Sequence, residues 1–172
     1  MTSKIDSETL RTLLRYSRKT GLFTWLVTRG RFAKPGRIAG WINGNGYRVI
    51  EIFGQQYYTS RLAWFYVTGS WPTHEIDHKN RIRSDDRWAN LREATRSQQR
   101  GNIRLPSTNK SGMRGVCRSR APNKWIAQIN ENGRKIYLGT YQTKLAAYTA
   151  YRNAARAHYG EFYTGETRRV AR

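Results

Sequence analysis

From Arg104 to Gly112 the chain reads Arg-Leu-Pro-Ser-Thr-Asn-Lys-Ser-Gly, with Pro106 and Gly112 but no hydrophobic period. Such a stretch reads as a connector and places a domain boundary there, so the 172 residues build their cores separately on either side. Each core is then small and of modest stability. Composition agrees: 38% apolar residues is low for one large core, whereas 13% aromatics is too rich for a disordered polybasic tail.

Lys and Arg number 32 against 11 Asp and Glu, a formal charge of +21. Basic charge spread along a whole chain condenses onto a polyanion and releases its counterions, which makes nucleic acid the first partner to expect and an ordinary metabolic enzyme surface the class to exclude. A ribosome-type structural protein or a surface drawn to anionic membranes are the alternatives on charge alone. The single cysteine, Cys117, excludes an intrachain disulfide framework and a thiolate zinc site, and fits a reducing compartment. No run approaches the roughly 18 apolar residues of a membrane span, and Met1 to Leu14 is charged where a signal peptide is apolar. The expectation is a soluble cytoplasmic protein with no membrane partner.

Asp6 is a candidate N-cap, and Leu10, Leu13 and Leu14 recur at helical spacing, which predicts a helix over about 7–17 ending at Gly21. From Phe23 to Tyr58, short β-branched and aromatic runs (Leu22 to Val27, Tyr47 to Phe53) alternate with Gly36, Gly40, the Asn43-Gly44-Asn45-Gly46 cluster and Gly54, which reads as an antiparallel sheet. Arg61 to Thr68, rich in aromatics and stopped by Gly69, reads as a mostly buried helix on that sheet. Beyond the connector, Gly115 to Cys117, Trp125 to Asn130 and Lys135 to Tyr141 read as three antiparallel strands, with Asn132-Gly133 turning the last two. Thr143 then caps a helix with Ala147, Tyr151, Ala154, Ala155 and His158 on one face, ending near Gly160. That helix covers one sheet face and leaves the other open.

Residues 73–103 are polar and carry the chemistry: Ile76-Asp77-His78, then Asn90-Leu91-Arg92, then Thr95-Arg96-Ser97-Gln98-Gln99. Phosphodiester hydrolysis needs a base near pH 7 to take a proton from water, and a hard divalent cation on oxygen ligands to meet charge on the phosphate and leaving oxygen. His78 and Asp77 are the matching residue types. Because strand neighbours point to opposite faces, the two serve one site only at a bend or a strand end. Thr95-x-x-Gln98 is a capping box, so Thr95 starts a helix with Gln99 in its first turns.

Glu75-Ile76-Asp77-His78, then Asp85-Asp86-Arg87-Trp88-Ala89-Asn90-Leu91-Arg92-Glu93-Ala94-Thr95 and Gln98-Gln99, resembles the core of HNH homing endonucleases of phages. Gly46-Tyr47-Arg48, Arg61 to Phe65, Thr68-Gly69 and Trp71-Pro72 resemble the lead-in of the same family. The resemblance implies a β-β-α-metal fold holding one divalent ion, Mg²⁺ or Mn²⁺. It puts His78 in the general-base position, Asp77 and Gln99 in metal-ligand positions, and Asn90 in the place that orients the base histidine. Gln99 departs from the family's usual Asn or His, with a reach longer by about 1.5 Å and one more rotor to freeze. Asp86 stands where Asn is more usual and reads as structural. Asn102, near enough on a helix to substitute as a ligand, reads as a helix-end residue, and Arg92 or Arg96 as a clamp on a neighbouring phosphate.

Residues 111–163 resemble the plant ethylene-response-factor type of DNA-binding domain, through Ser111 to Val116, Lys124 to Ile129, Lys135 to Tyr141, Ala146-Ala147-Tyr148 and Gly160-Glu161-Phe162. That family lays its open sheet face in the DNA major groove, whose width admits a β-ribbon with alternate side chains at base edges. By position Arg114, Gln128, Asn130, Lys135 and Tyr137 form the reading face, and Arg118, Arg120, Lys124 and Arg134 hold phosphates. Trp125, Tyr141 and His158 read as packing residues, and His74 as exposed.

Together these readings give an α+β protein. An N-terminal antiparallel sheet region carries the ββα-metal HNH motif (1–103, core about 73–103). A linker (104–110), a three-stranded sheet plus helix (111–163) and a basic tail (164–172) follow. The expected function is metal-dependent, site-specific cleavage of double-stranded DNA. The rivals are a DNA-binding protein with a degenerate nuclease site and an RNA-associated structural protein; monomer and homodimer both stay open.

Overall fold

The computed structural model describes residues 5–131 and 133–165. Asn132 of the expected hairpin turn and residues 166–172 of the basic tail lie outside the described residues. The chain divides into two compact units, one up to Ala94 and one from Thr95 onward. That division falls before the expected connector, so Thr95 to Asn102 and the connector belong with the second unit.

In the first unit, α1 (Ser7–Leu13) is capped by Asp6, whose carboxylate accepts from the Thr9 amide. It is shorter than the leucine spacing predicts. Leu14 leaves the helix at φ −136° and starts strand β1 (Leu14–Tyr16), which pairs antiparallel with β2 (Phe23–Trp25). Leu14 and Tyr16 alternate inward around exposed Arg15, so pairing and burial override a helical pattern at the end of a seven-residue helix. The single sheet expected from Phe23 to Tyr58 is likewise two sheets. The second contains β3 (Trp41–Ile42), β4 (Arg48–Ile52) and β5 (Gln55–Tyr58), and only an isolated bridge, Thr24 to Ile38, joins its lead-in to the first.

Helix α2 (Thr59–Thr68) buries Thr59, Ser60, Leu62, Ala63 and Phe65. Leu10, Leu14, Phe23, Ile50, Ile52, Leu62 and Phe65 form one core with Leu91. Through Leu91 that core reaches a two-stranded ribbon, β6 (Glu75–His78) with β7 (Leu91–Ala94). Gly21 sets the turn between β1 and β2 directly against the ribbon's loop. At φ +75° a Cβ there would lie 2.4 Å from the Asp86 carbonyl carbon and the Arg87 amide nitrogen.

The second unit starts with α3 (Arg96–Asn102), and the predicted capping box is present in full: Thr95 Oγ1 accepts from the Gln98 amide, and Gln98 Oε1 from the Thr95 amide. Strands β8 (Val116–Arg118), β9 (Trp125–Glu131) and β10 (Arg134–Tyr141) make an antiparallel sheet with β9 central. Helix α4 (Lys144–Tyr159), capped by Thr143, covers it with Ala147, Tyr148, Tyr151, Ala155 and Tyr159 buried. Gly115 permits the closest approach: at φ +69° a Cβ would sit 2.0 Å from the Tyr151 ring. Among the described residues no helix is long and apolar enough to cross a membrane.

Candidate active site and DNA-contacting face

The β6/β7 ladder is regular from Glu75 opposite Ala94 to His78 opposite Leu91, and His78 is its last residue. Asp77 and His78 therefore occupy successive positions, with His78 at the strand end. His78 is 4% exposed, and its Nε2 lies 2.8 Å from Oδ1 of Asp86, itself 2% exposed. Three other groups hold Asp86. The Thr59 hydroxyl donates to Oδ2, the Tyr16 hydroxyl donates to its carbonyl at 2.6 Å, and the Gly21 backbone packs against it. Burial raises the Tyr16 phenol well above the ordinary tyrosine value, and the Asp86 charge adds to this, so Tyr16 stays a donor.

A buried carboxylate persists only with its hydrogen bonds made, and the Asp86 carboxylate has one on each oxygen, from His78 and from Thr59. Sequence reasoning treated Asp86 as merely structural. The missed signal was the acid itself, standing eight residues after the histidine where the resembled family more often has an amide.

Asp77 faces its cross-strand neighbour: Arg92 Nε donates to Oδ2 at 2.9 Å, with exposures of 11% and 12%. Arg92, expected as a phosphate clamp, is thus ion-paired within the ribbon. Asn90 is buried and staples the loop between β6 and β7. Its Nδ2 donates to Asn80 Oδ1 at 3.0 Å and to the Asp85 carbonyl at 2.7 Å, while its Oδ1 accepts from the Asn80 amide. Those bonds shape the loop that presents Asp86. Arg96 and Gln99 stand on α3, in the second unit, and Asn102 is buried at the end of that helix.

Asp85 closes the loop by accepting from Arg87 Nε and Nη2 and from Asn80 Nδ2. The Arg87 guanidinium bonds, helped by the Arg87 amide and Asn80, hold the Asp85 carboxyl down at about 2 against the opposing effect of burial. A depressed folded pKa stabilises above the ordinary value of 3.8 and loses that stabilisation as pH falls through about 2. Thermal unfolding from pH 5 to 2 is expected to show a steeper loss for the wild type than for Asp85→Asn. Equal slopes would remove Asp85 from the loop's stability.

In the second unit Ala127 and Ile129 point under α4, while Gln128 and Asn130 point to the other face, opposite Tyr137 and Lys135. Tyr137 is 63% exposed and its hydroxyl hydrogen-bonds Thr140. The structure thus gathers Gln128, Asn130, Lys135 and Tyr137 on one open face. Arg114 sits elsewhere than a free reading residue would: Nη1 donates to the carbonyls of Arg100 and Gly101 at 3.1 Å each, tying α3 to the start of the sheet. Arg120, Lys124 and Arg134 are exposed in the loops and at the start of β10. Arg118 stacks 5.2 Å over the Trp125 ring, and Lys144 reaches the same ring, so Trp125 is half-buried under two cations. His158 pairs with Glu131 at 2.9 Å.

Residues 57–100 match the HNH endonuclease family, a stretch that begins in β5 and ends in α3. Over 57 residues, 32% of this chain, the sequence is 46% identical to dehydration-responsive element-binding protein 2A of rice, Oryza sativa subsp. indica, covering 20% of that protein. To the Arabidopsis thaliana protein of the same name it is 42% identical over 57 residues, covering 17% of it. The chain therefore spans about a fifth of the length of the curated relatives it matches. Residues 57–100 are an HNH endonuclease domain, joined in one chain to a region similar to plant dehydration-responsive element-binding proteins.

Proposed function

We propose that the protein is a metal-dependent DNA endonuclease of homing type, hydrolysing phosphodiester bonds of double-stranded DNA that its C-terminal sheet binds. The observation that carries this reading is the buried His78–Asp86 pair inside the HNH match. Asp86 Oδ1 lies at hydrogen-bond distance from His78 Nε2 and fixes the orientation of the imidazole. His78 is the base that takes the proton of the attacking water. Water oxygen adds to phosphorus, the P–O3′ bond breaks, and the departing 3′ oxygen takes a proton from solvent water, giving 5′-phosphate and 3′-hydroxyl ends.

The donor set fits a hard, sparsely ligated ion. Among the described residues no group of three His, Cys, Asp or Glu could form a closed metal cage. Mg²⁺ and Mn²⁺ suit one or two oxygen ligands completed by water and substrate phosphate. Asp77 would hold the ion, and the ion would supply charge to the phosphate and the departing oxygen. Tethering to DNA through the second unit makes cleavage effectively intramolecular, which compensates a modest metal site.

The test is incubation of the full chain with supercoiled plasmid and Mg²⁺ or Mn²⁺, with EDTA as the control. Nicked or linear product that EDTA suppresses is the expected result. The second reading, a DNA-binding protein with a degenerate nuclease site, draws on Gln99 and on the Asp77–Arg92 ion pair. It predicts no cutting with any metal, and activity in Gln99→Asn. Competition with structured RNA is expected to leave duplex-DNA binding intact; displacement by RNA would sink both readings.

A further inference from the structure

At one end of the sheet, α3, the connector, the sheet and α4, through Tyr151 and Tyr159, enclose a pocket of about 300 Å³, to which Arg100, Arg104, Arg114 and Lys135 contribute with Ile103 and Pro106. Four cations from four separate segments converge there, and the pocket's lining holds no carboxylate. Like charges gathered without a counterion repel one another, and such an arrangement persists where an anion supplies the missing charge.

The side chains are built into place. Arg100 Nη1 donates to Asn130 Oδ1 at 2.6 Å, and Tyr159 donates to the Asn130 carbonyl at 2.9 Å, so the edge of the reading face and the α3 arginine are held together. Arg114 binds α3 through Nη1, but its Nη2 is buried without a hydrogen-bond partner. A buried N–H without an acceptor is costly, and in a native protein it commonly marks an absent ion or ligand. Ile103 and Pro106 add an apolar wall, which suits a sugar better than a bare inorganic ion.

We propose that this pocket takes one sugar-phosphate unit of the bound DNA strand, with Arg100 and Arg104 gripping its phosphate. The connector is then part of the DNA interface and not a passive tether. The proposal rests on the reading that the open sheet face meets duplex DNA: Gln128, Asn130 and Lys135 line both that face and the pocket. The pocket adds affinity without sequence preference, because it meets backbone and not base edges.

The experiment measures binding of the full chain to a labelled duplex between 50 and 200 mM salt, for wild type, Arg100→Ala/Arg104→Ala, and a charge-matched control, Arg29→Ala/Arg31→Ala. The pocket variant is expected to bind about tenfold more weakly and to lower the salt slope by about 2, one per phosphate-gripping cation, with an unchanged sequence preference. Should Arg100→Ala lower the melting temperature, Arg104→Ala alone carries the test, with an expected slope change of about 1. No duplex binding by the wild type would overturn the DNA reading itself. Wild-type binding with an equal slope in the pocket variant, or an equal loss in the control, would overturn only the pocket. A titration with inorganic phosphate separates the two sources of phosphate. Saturable binding of free phosphate that the pocket variant loses, with DNA affinity unchanged, would also overturn it.

Discussion

Replacing His78 by alanine is expected to reduce plasmid cleavage by about 10²- to 10⁴-fold, the range for loss of a positioned general base, while duplex-DNA affinity stays within a few fold. The asymmetry follows from where the residue sits. His78 belongs to the ribbon of the first unit, whereas the open sheet face belongs to the second. Because His78 is buried against Asp86, the variant leaves a carboxylate without one of its donors, so its melting temperature is measured beside its activity. His78→Gln retains a side-chain donor and separates folding from chemistry: it is expected to fold better than His78→Ala and to cut no better. Cleavage at the wild-type rate by either folded variant would refute the assignment of the base.

Asp86 carries the second large effect. Asp86→Ala removes the acceptor for His78 Nε2 and for the Thr59 hydroxyl together, inside a site 2% exposed. Leaving two buried donors without an acceptor costs about 1–3 kcal/mol each, a large fraction of the stability of a unit this size. Thermal or denaturant unfolding is expected to show that loss in the first unit. Asp86→Asn preserves the shape and one acceptor oxygen, so most of the stability should remain. Its cleavage rate then reports what the carboxylate adds to His78 beyond an amide. An Asp86→Ala protein as stable as the wild type would mean that the buried network does not hold the loop.

Much of the architecture is legible without coordinates. The Thr95-x-x-Gln98 box, the Thr143 cap and the three strands with their covering helix follow from local hydrogen-bonding needs and from periodicities of 3.6 and 2, and the structure has all of them. Leu14 was misleading because Leu10, Leu13 and Leu14 suit a helix face, yet Leu14 and Tyr16 are worth more to the core as alternating strand residues paired with β2. The connector's lack of hydrophobic period marks a boundary in the sequence, whereas the compact division lies at Ala94, and Arg100, Ile103 and Arg104 line a pocket with the sheet.

The candidate site divides along the same line. The chemistry of hydrolysis points to His78 and Asp77 as base and ligand types, and the family resemblance adds the roles expected of Asn90 and Gln99. Which groups those side chains meet is a matter of long-range packing. Asp86 reaches His78 only because Tyr16, Gly21 and Thr59, from 27 to 70 positions away, converge on it. Arg92 meets Asp77 because the ladder sets them opposite one another. Local propensity is written residue by residue along the chain, whereas a buried hydrogen bond between distant residues exists only once the core that excludes water from it has formed.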